Sequence, residues 1–262
     1  MSIITLNTKN KTSGTNSRPN FKFSEPLRHI KAFKLQSIAI RNAWYTIMSS
    51  INDKIYFDVG CTPYTATLTE GVYNSTTLAA EVESAMDTIY LVDNLFSVSE
   101  STLTYKYTIT HATTNFSLEF ATNTTASAAK TLGYNNTDTA AATSHVANNI
   151  FNLNYSENIN IHSNDLSHKH SRRSLTRTDL YFSFPIESDF AGLTTYKNNG
   201  DDHIVTFRNN DFNEIGFVLR FDDGVEAPMN GLDWSITMLM IEDKINSTHY
   251  KHDGELSKFI IT

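Results

Sequence analysis

Leu68-Thr69-Glu70-Gly71-Val72-Tyr73-Asn74-Ser75-Thr76-Thr77-Leu78-Ala79-Ala80-Glu81-Val82-Glu83-Ser84-Ala85-Met86 reads as a strand, a turn and a helix, set in a chain whose other segments carry strand patterning. Asn74 and Ser75 can each offer a side-chain oxygen to the open N–H groups of a first helical turn. Leu78, Val82, Met86 and Ile89 then recur at helical spacing on one face. That face needs a sheet edge or face to cover, so the segment marks a connection within a β architecture. Gly71 reads as the turn residue between strand and helix, a structural position. Glu70, Glu81 and Glu83 have no sequence partner that would make the segment catalytic.

Working outward, Trp44 to Ile47, Ile55 to Val59 and Tyr64 to Leu68 precede the helix as strand candidates. Further upstream, Phe33 and Leu35 share one face of a period-two pattern, whereas Ile38 and Ile40 take the opposite phase. A bulge or bend near Gln36-Ser37 reconciles the two. Residues 1–26 contain little to bury and predict a flexible N-terminal arm, either frayed or ordered against neighbouring subunits through Lys9, Lys11 and Arg18.

Downstream, Leu103 to Thr110 and Asn115 to Phe120 flank His111-Ala112-Thr113-Thr114 and predict a hairpin. Ser127 to Gly133 predicts a short helix with a glycine stop, and the polar run Asn135 to Asn149 predicts a loop. Strand signals return at Ile159 to His162, Leu180 to Pro185, His203 to Phe207, Ile215 to Phe221 and Trp234 to Ile241. These lengths and their turn punctuation point to an antiparallel sandwich and away from parallel β/α units.

The 262 residues, 40% of them hydrophobic, can fill a sizeable core. A net charge of −7 argues against a main surface that binds nucleic acid, because phosphate neutralisation requires surplus Lys and Arg. Cys61 is the only cysteine, which excludes an intramolecular disulfide and a thiolate zinc cluster and fits a reducing site of assembly. The N-terminus lacks a charged start with a long apolar run, and no segment is apolar over a membrane-spanning length. The expectation is a soluble chain without a signal peptide or membrane insertion. Sequons such as Asn74-Ser75-Thr76, Asn115-Phe116-Ser117 and Asn246-Ser247-Thr248 follow from a composition rich in Asn, Ser and Thr.

The densest polar cluster, His162 to Arg173, invites a metal reading. His168 and His170 would share one side of a strand, yet a third ligand is missing and Arg172 and Arg173 oppose a further cation. His168, Lys169, His170, Arg172 and Arg173 instead predict a solvated loop, or a basic contact with a neighbouring subunit or packaged nucleic acid. Ser163, Asp165 and His168 are hydrolase residue types without a nucleophile elbow. Asp201-Asp202 and Asp222-Asp223-Gly224 read as turns, since the alternating ligands of a calcium loop are absent. No phosphate-cradling or dinucleotide glycine motif occurs. The reading is of a non-enzyme, with no catalytic, cofactor or metal residues. Trp234, Ile236, Met238 and Met240 share one strand face, which makes Trp234 a core residue.

The order of elements carries a resemblance. A polar arm, a long strand at Ile30 to Ile40, Glu70-Gly71-Val72-Tyr73-Asn74 with its helix, and Leu132-Gly133-Tyr134 come first. Ile159-Asn160-Ile161-His162-Ser163-Asn164-Asp165-Leu166 and Asn230-Gly231-Leu232-Asp233-Trp234 complete the set. Together they resemble the single jelly-roll penton, or minor capsid, proteins of virophages and polinton-like icosahedral double-stranded DNA viruses. The resemblance implies an all-β antiparallel jelly-roll β-sandwich with one or two short helices. Residues 27–262 would form the capsid domain, with an inserted subdomain near 125–175 because the strand candidates outnumber a minimal jelly roll. It further implies a homopentamer closing a five-fold vertex in the virion, assembled inside the host cell and contacting major capsid protein and other minor capsid or vertex proteins. Competing readings are a receptor- or glycan-binding β-sandwich, a head decoration protein, and a jelly-roll hydrolase. The hydrolase would need two convergent carboxylates or a histidine metal site.

Overall fold

A computed structural model describes residues 1–91, 95–166, 180–200 and 203–242. In chain order the strands and helices are β1 (Ser2–Asn7), β2 (Ser13–Gly14), β3 (Pro19–Arg41), β4 (Lys54–Val59), β5 (Thr62–Thr67), α1 (Ser75–Tyr90), β6 (Phe96–Glu100), β7 (Tyr107–His111), β8 (Phe116–Leu118), α2 (Ala129–Leu132), β9 (Ser144–Val146), β10 (Asn158–His162), β11 (Leu180–Pro185), β12 (Leu193–Lys197), β13 (Ile204–Gly216), β14 (Val218–Arg220) and β15 (Ser235–Glu242). The chain forms two compact units. One comprises residues 1–42 and the chain from 158 onward; the other, residues 43–157, is inserted between β3 and β10.

In the first unit all strand pairings are antiparallel. β15 lies between β1 and β3, and the later part of β3 also pairs with β12 and the start of β13. In the other sheet β10 lies between β11 and β14. That ladder is continued by the start of β3: Phe217 N–H donates to the Pro19 carbonyl and Leu219 N–H to that of Ser17. β3 and β13 therefore each pass from one sheet into the other. The bends fall near His29, which has φ 55, and at the register shifts of β13 between Thr206 and Glu214.

Among the described residues, β3 and β13 count as two positions each, β12 shares a position with the start of β13, β14 shares one with the end of β13, and the two-residue β2 is left out, which gives eight. The first sheet takes the first, eighth, third and sixth positions in order, and the second takes the second, seventh, fourth and fifth. That is the strand order of a jelly roll, two Greek keys wound together. The phase change in β3 has the cause its sequence required. Ser37 faces Thr237 but Leu35 faces Met238, so Gln36 is an unpaired extra residue. The bulge lets Phe33, Leu35, Ile38 and Ile40 all turn inward, none more than 1% exposed.

The second unit has its own core. Two three-stranded antiparallel sheets, β5-β4-β8 and β6-β7-β9, are joined by Phe96 of β6, which packs edge to face on Phe57 and Phe116 at 5.3 Å each. α1 starts in a capping box: Thr77 N–H donates to Asn74 Oδ1 (2.8 Å) and Asn74 N–H to Thr77 Oγ1 (3.0 Å). Leu78, Val82 and Met86 are fully buried.

Several expectations are corrected. Residues 1–26 are not a loose arm, since β1 pairs residue by residue with β15 and Leu6 is buried. The insertion spans 43–157 and not 125–175. Tyr107–His111 and Phe116–Leu118 do not pair with each other: β7 joins β6 and β9, and β8 joins β4, so the turn between them is a corner between sheets. The run Asn135 to Asn149 contains β9. Trp44 to Ile47 is not a strand, although Ile47 makes a two-bond bridge with Gly71. Gly71 lies in that bridge, with no positive φ, and is not the turn. Ile89 is 41% exposed, while Asp87, on another side of α1, is buried and its carboxylate accepts the Phe96 N–H.

Candidate functional surfaces

The N-terminal cations sit on a segment hydrogen-bonded into the jelly roll. Lys9 is exposed on a single 3-10 turn, whereas Lys11 Nζ donates to Asn16 Oδ1 at 2.7 Å. Arg18 directs Nε and Nη2 to one oxygen of Glu226, at 3.2 and 2.7 Å. Asn16 gives its side-chain N–H groups to Leu232 O and Asp233 Oδ1, and its carbonyl accepts the Trp234 indole N–H at 2.7 Å. Thr8 Oγ1 donates to Asp233 and accepts the Trp234 backbone N–H. Trp234, 2% exposed, packs edge to face on Phe217 at 5.9 Å. The polar residues that read as an arm are thus the hydrogen-bonding partners that let a tryptophan be buried with its N–H satisfied. Between this segment and the turn before β15 lies an open depression of about 710 Å³, lined among others by Lys11, Asn16, Glu226, Pro228 and Asn230.

Of the residues with hydrolase chemistry, Ser163 and Asp165 have structural partners. Ser163 Oγ accepts the Leu166 N–H, and Asp165 Oδ2 accepts that of Gly216 at 2.7 Å. The Asp222 carboxylate accepts from Asn158 N–H and from the amide groups of Asn158 and Asn160, holding the turn at Gly224, φ 88, against β10. Among the described residues no group of three or more His, Cys, Asp or Glu is placed to hold a metal, and no helix is long and apolar enough to cross a membrane. His168, Lys169, His170, Arg172 and Arg173 lie outside the described residues.

Sequence reading missed the lateral edges of the first jelly-roll sheet. Among the described residues β1 pairs on one side only, with Ile3 67% exposed on it. At the far edge of the same sheet Leu193 of β12 is 52% exposed and Ile204 of β13 is 38% exposed. Single exposed apolar residues are ordinary; their position on opposite unpaired edges of one sheet is what gives these interest. Alternation places Ile3 outward from Ile4 and Leu6, but which strand forms an edge is a tertiary fact.

No protein-family model and no curated protein matches the sequence. Among solved structures the chain is similar to the crystal structure of a mavirus penton protein, with a TM-score of 0.47 and 9% identity, over 93% of this chain and 100% of that one.

Proposed function

We propose that the chain is a structural capsid protein, a penton that assembles as a homopentamer at five-fold vertices of an icosahedral virion and contacts the surrounding major capsid protein. The observation that carries the reading is the eight-position jelly-roll strand order of the first unit, an architecture common to capsid building blocks. A closed ring needs a heterologous interface, in which one side of each copy meets a different side of the next. The two opposite sheet edges, with Ile3 on one and Leu193 and Ile204 on the other, supply two such sides. The hydrogen bonds of Ser163, Asp165 and Asp222 to backbone and side-chain groups of the fold favour a non-catalytic role.

Electron cryomicroscopy of particles that contain the chain tests the proposal. Density for five copies around each vertex axis is the expected result. Copies at any other symmetry position, or their absence from the shell, would overturn it.

A further inference from the structure

Beyond a place in a shell, the inserted unit carries a groove whose chemistry is unlike that of a subunit contact. It is open, about 600 Å³ in volume, within the usual range of small-ligand sites, and its wall is largely asparagine: Asn135, Asn136, Asn149, Asn152 and Asn154. Gly133, φ 82, sits at its base. A Cβ there would strike the carbonyl oxygens of Asn149 and Ile150, so glycine lets the two chain segments touch and close the floor.

The amides are held in place. Asn149 N–H donates to the Gly133 carbonyl at 2.8 Å, Asn135 N–H donates to Asn148 Oδ1 at 3.0 Å, and Asn149 Nδ2 donates to Asn135 Oδ1 at 2.9 Å. With that pairing made, the linked amides keep a further donor, the Asn135 NH₂, and a further acceptor, the Asn149 Oδ1. On the opposite wall Asn152 N–H is fixed to the Thr131 carbonyl, and Asn152 Oδ1 accepts the Asn154 N–H. The charges in the wall, Lys130 and Glu157, are one of each sign, and the Lys130 ammonium lies 5.4 Å from the Tyr155 ring centroid. Phe151 lines the groove, and the Tyr105 ring, 59% exposed, packs edge to face on Phe151 with the ring centroids 6.3 Å apart.

We infer that this groove binds a neutral carbohydrate. The donor and acceptor kept by these linked amides match the vicinal hydroxyls of a sugar ring, each of which both gives and takes a hydrogen bond. The exposed Tyr105 ring, edge to face on the groove-lining Phe151, offers a flat apolar face with a polar tip, suited to the C–H face of a sugar. The balanced charge disfavours an acidic ligand, which would require surplus cations, and the amide wall lacks the deep apolar pocket that anchors a peptide. The inference concerns the inserted unit alone and stands or falls separately from the vertex role.

The test is to apply the full chain to immobilised neutral hexose and N-acetylhexosamine oligosaccharides, with sialylated and sulfated oligosaccharides as a second arm. Binding in the neutral arm is expected, weakened at least tenfold by Asn149→Ala and by Tyr105→Ala. Asn136→Ala, on an exposed wall residue, keeps the test open if Asn149→Ala fails to fold, and thermal unfolding of each variant establishes which case applies. Absence of neutral-arm binding, binding confined to the acidic arm, or neutral-arm binding that folded variants leave unchanged would each overturn the inference.

Discussion

At the scale of single residues, buried polar groups inside the inserted unit are more consequential than exposed charges. Asn52, 1% exposed, donates to the Thr46 carbonyl and to Thr131 Oγ1 and accepts the Met48 N–H, all within 2.9 Å. It ties the entry loop of the unit to α2, and no local pattern around it announced that role. Asn52→Ala leaves the Met48 donor and the Thr46 acceptor buried without a partner, a loss of about 1–3 kcal/mol. Chemical denaturation of the purified chain will show this as a lower midpoint, and an unchanged midpoint would mean that water replaces the amide. His111 sets a pH response. Its ring is 1% exposed, and Nδ1 accepts the N–H groups of Thr113 and Thr114, so the folded state holds the neutral form. Burial pulls its pKa below the ordinary histidine value, with Asp87 of α1 pulling the other way; Tyr90 and Phe96 pack edge on to the ring. In the unfolded chain the group titrates near its ordinary value of about 6.5. Below that value, down to the folded-state pKa, the unfolded chain binds the extra proton. The histidine contribution is therefore whole above about pH 6.5 and declines as pH falls toward the folded-state pKa. The thermal midpoint should drop between pH 7.5 and 5.5, and less steeply in His111→Asn, whose Oδ1 can accept the same N–H groups without titrating. Equal slopes in the two proteins would remove His111 as the cause.

At the scale of elements, the bulge in β3 has the greatest influence on the fold. Side chains alternate strictly along a strand, so deleting Gln36 forces either Phe33 and Leu35 or Ile38 and Ile40 onto the outer face. Exposing two such side chains costs about 3–6 kcal/mol, a large part of the stability of an ordinary domain. The Gln36 deletion should therefore yield little soluble protein or a broad, weakly cooperative unfolding curve. Gln36→Ala, which keeps the spacing, should unfold within about 0.5 kcal/mol of the parent. This element was legible because a phase change in an apolar alternation calls for a bulge or a bend at that point, here near Gln36-Ser37. α1 was legible for a similar reason, its cap at Asn74 and its stripe at Leu78, Val82 and Met86 all being local. The segment around Phe116 shows where legibility ends. Its turn was visible, but the strand partner of Phe116 is Val59 and not a residue across the turn, and alternation carries no record of which strand a neighbour will be. Residues 1–26 misled for another reason, because composition treats Thr8, Asn16 and Arg18 as solvated when their hydrogen bonds to Asp233, Leu232 and Glu226 lie more than two hundred residues away in sequence. Of the groove, the sequence showed only Gly133 as a helix stop and Asn135 to Asn149 as a polar run. That the two meet depends on the backbone contact between Gly133 and Asn149.

At the scale of the whole molecule, the inserted unit and the jelly roll answer to different tests. Among the described residues the core of this unit, including Phe57, Phe96, Tyr107 and Phe116, is made of residues from 43–157, so a polypeptide of those residues should fold by itself. Cooperative thermal unfolding and dispersed amide resonances would show this, and a spectrum collapsed to random-coil shifts would show dependence on the jelly roll. The jelly roll carries the assembly prediction. In the ring proposed above, the edge of β1 in one copy would meet the far edge of the same sheet in the next, and every interface would repeat the same pair of surfaces. Ile3 is 67% exposed in the single chain, so its side chain has apolar area left to bury against Leu193 or Ile204 of a neighbour. Burying such a side chain is worth about 1.5–3 kcal/mol, which is roughly tenfold to a hundredfold in affinity at each junction. Ile3→Arg removes that gain and adds a charge to be desolvated, while its exposed position leaves the folded subunit nearly untouched. The variant should unfold at the parent's temperature and yet show a sharply reduced pentamer fraction by native mass spectrometry, with fewer copies incorporated into particles. Leu193→Arg, on the other side of the same junction, should give the same phenotype. Incorporation of Ile3→Arg at the parent's level would place the ring contact on a surface other than the β1 edge.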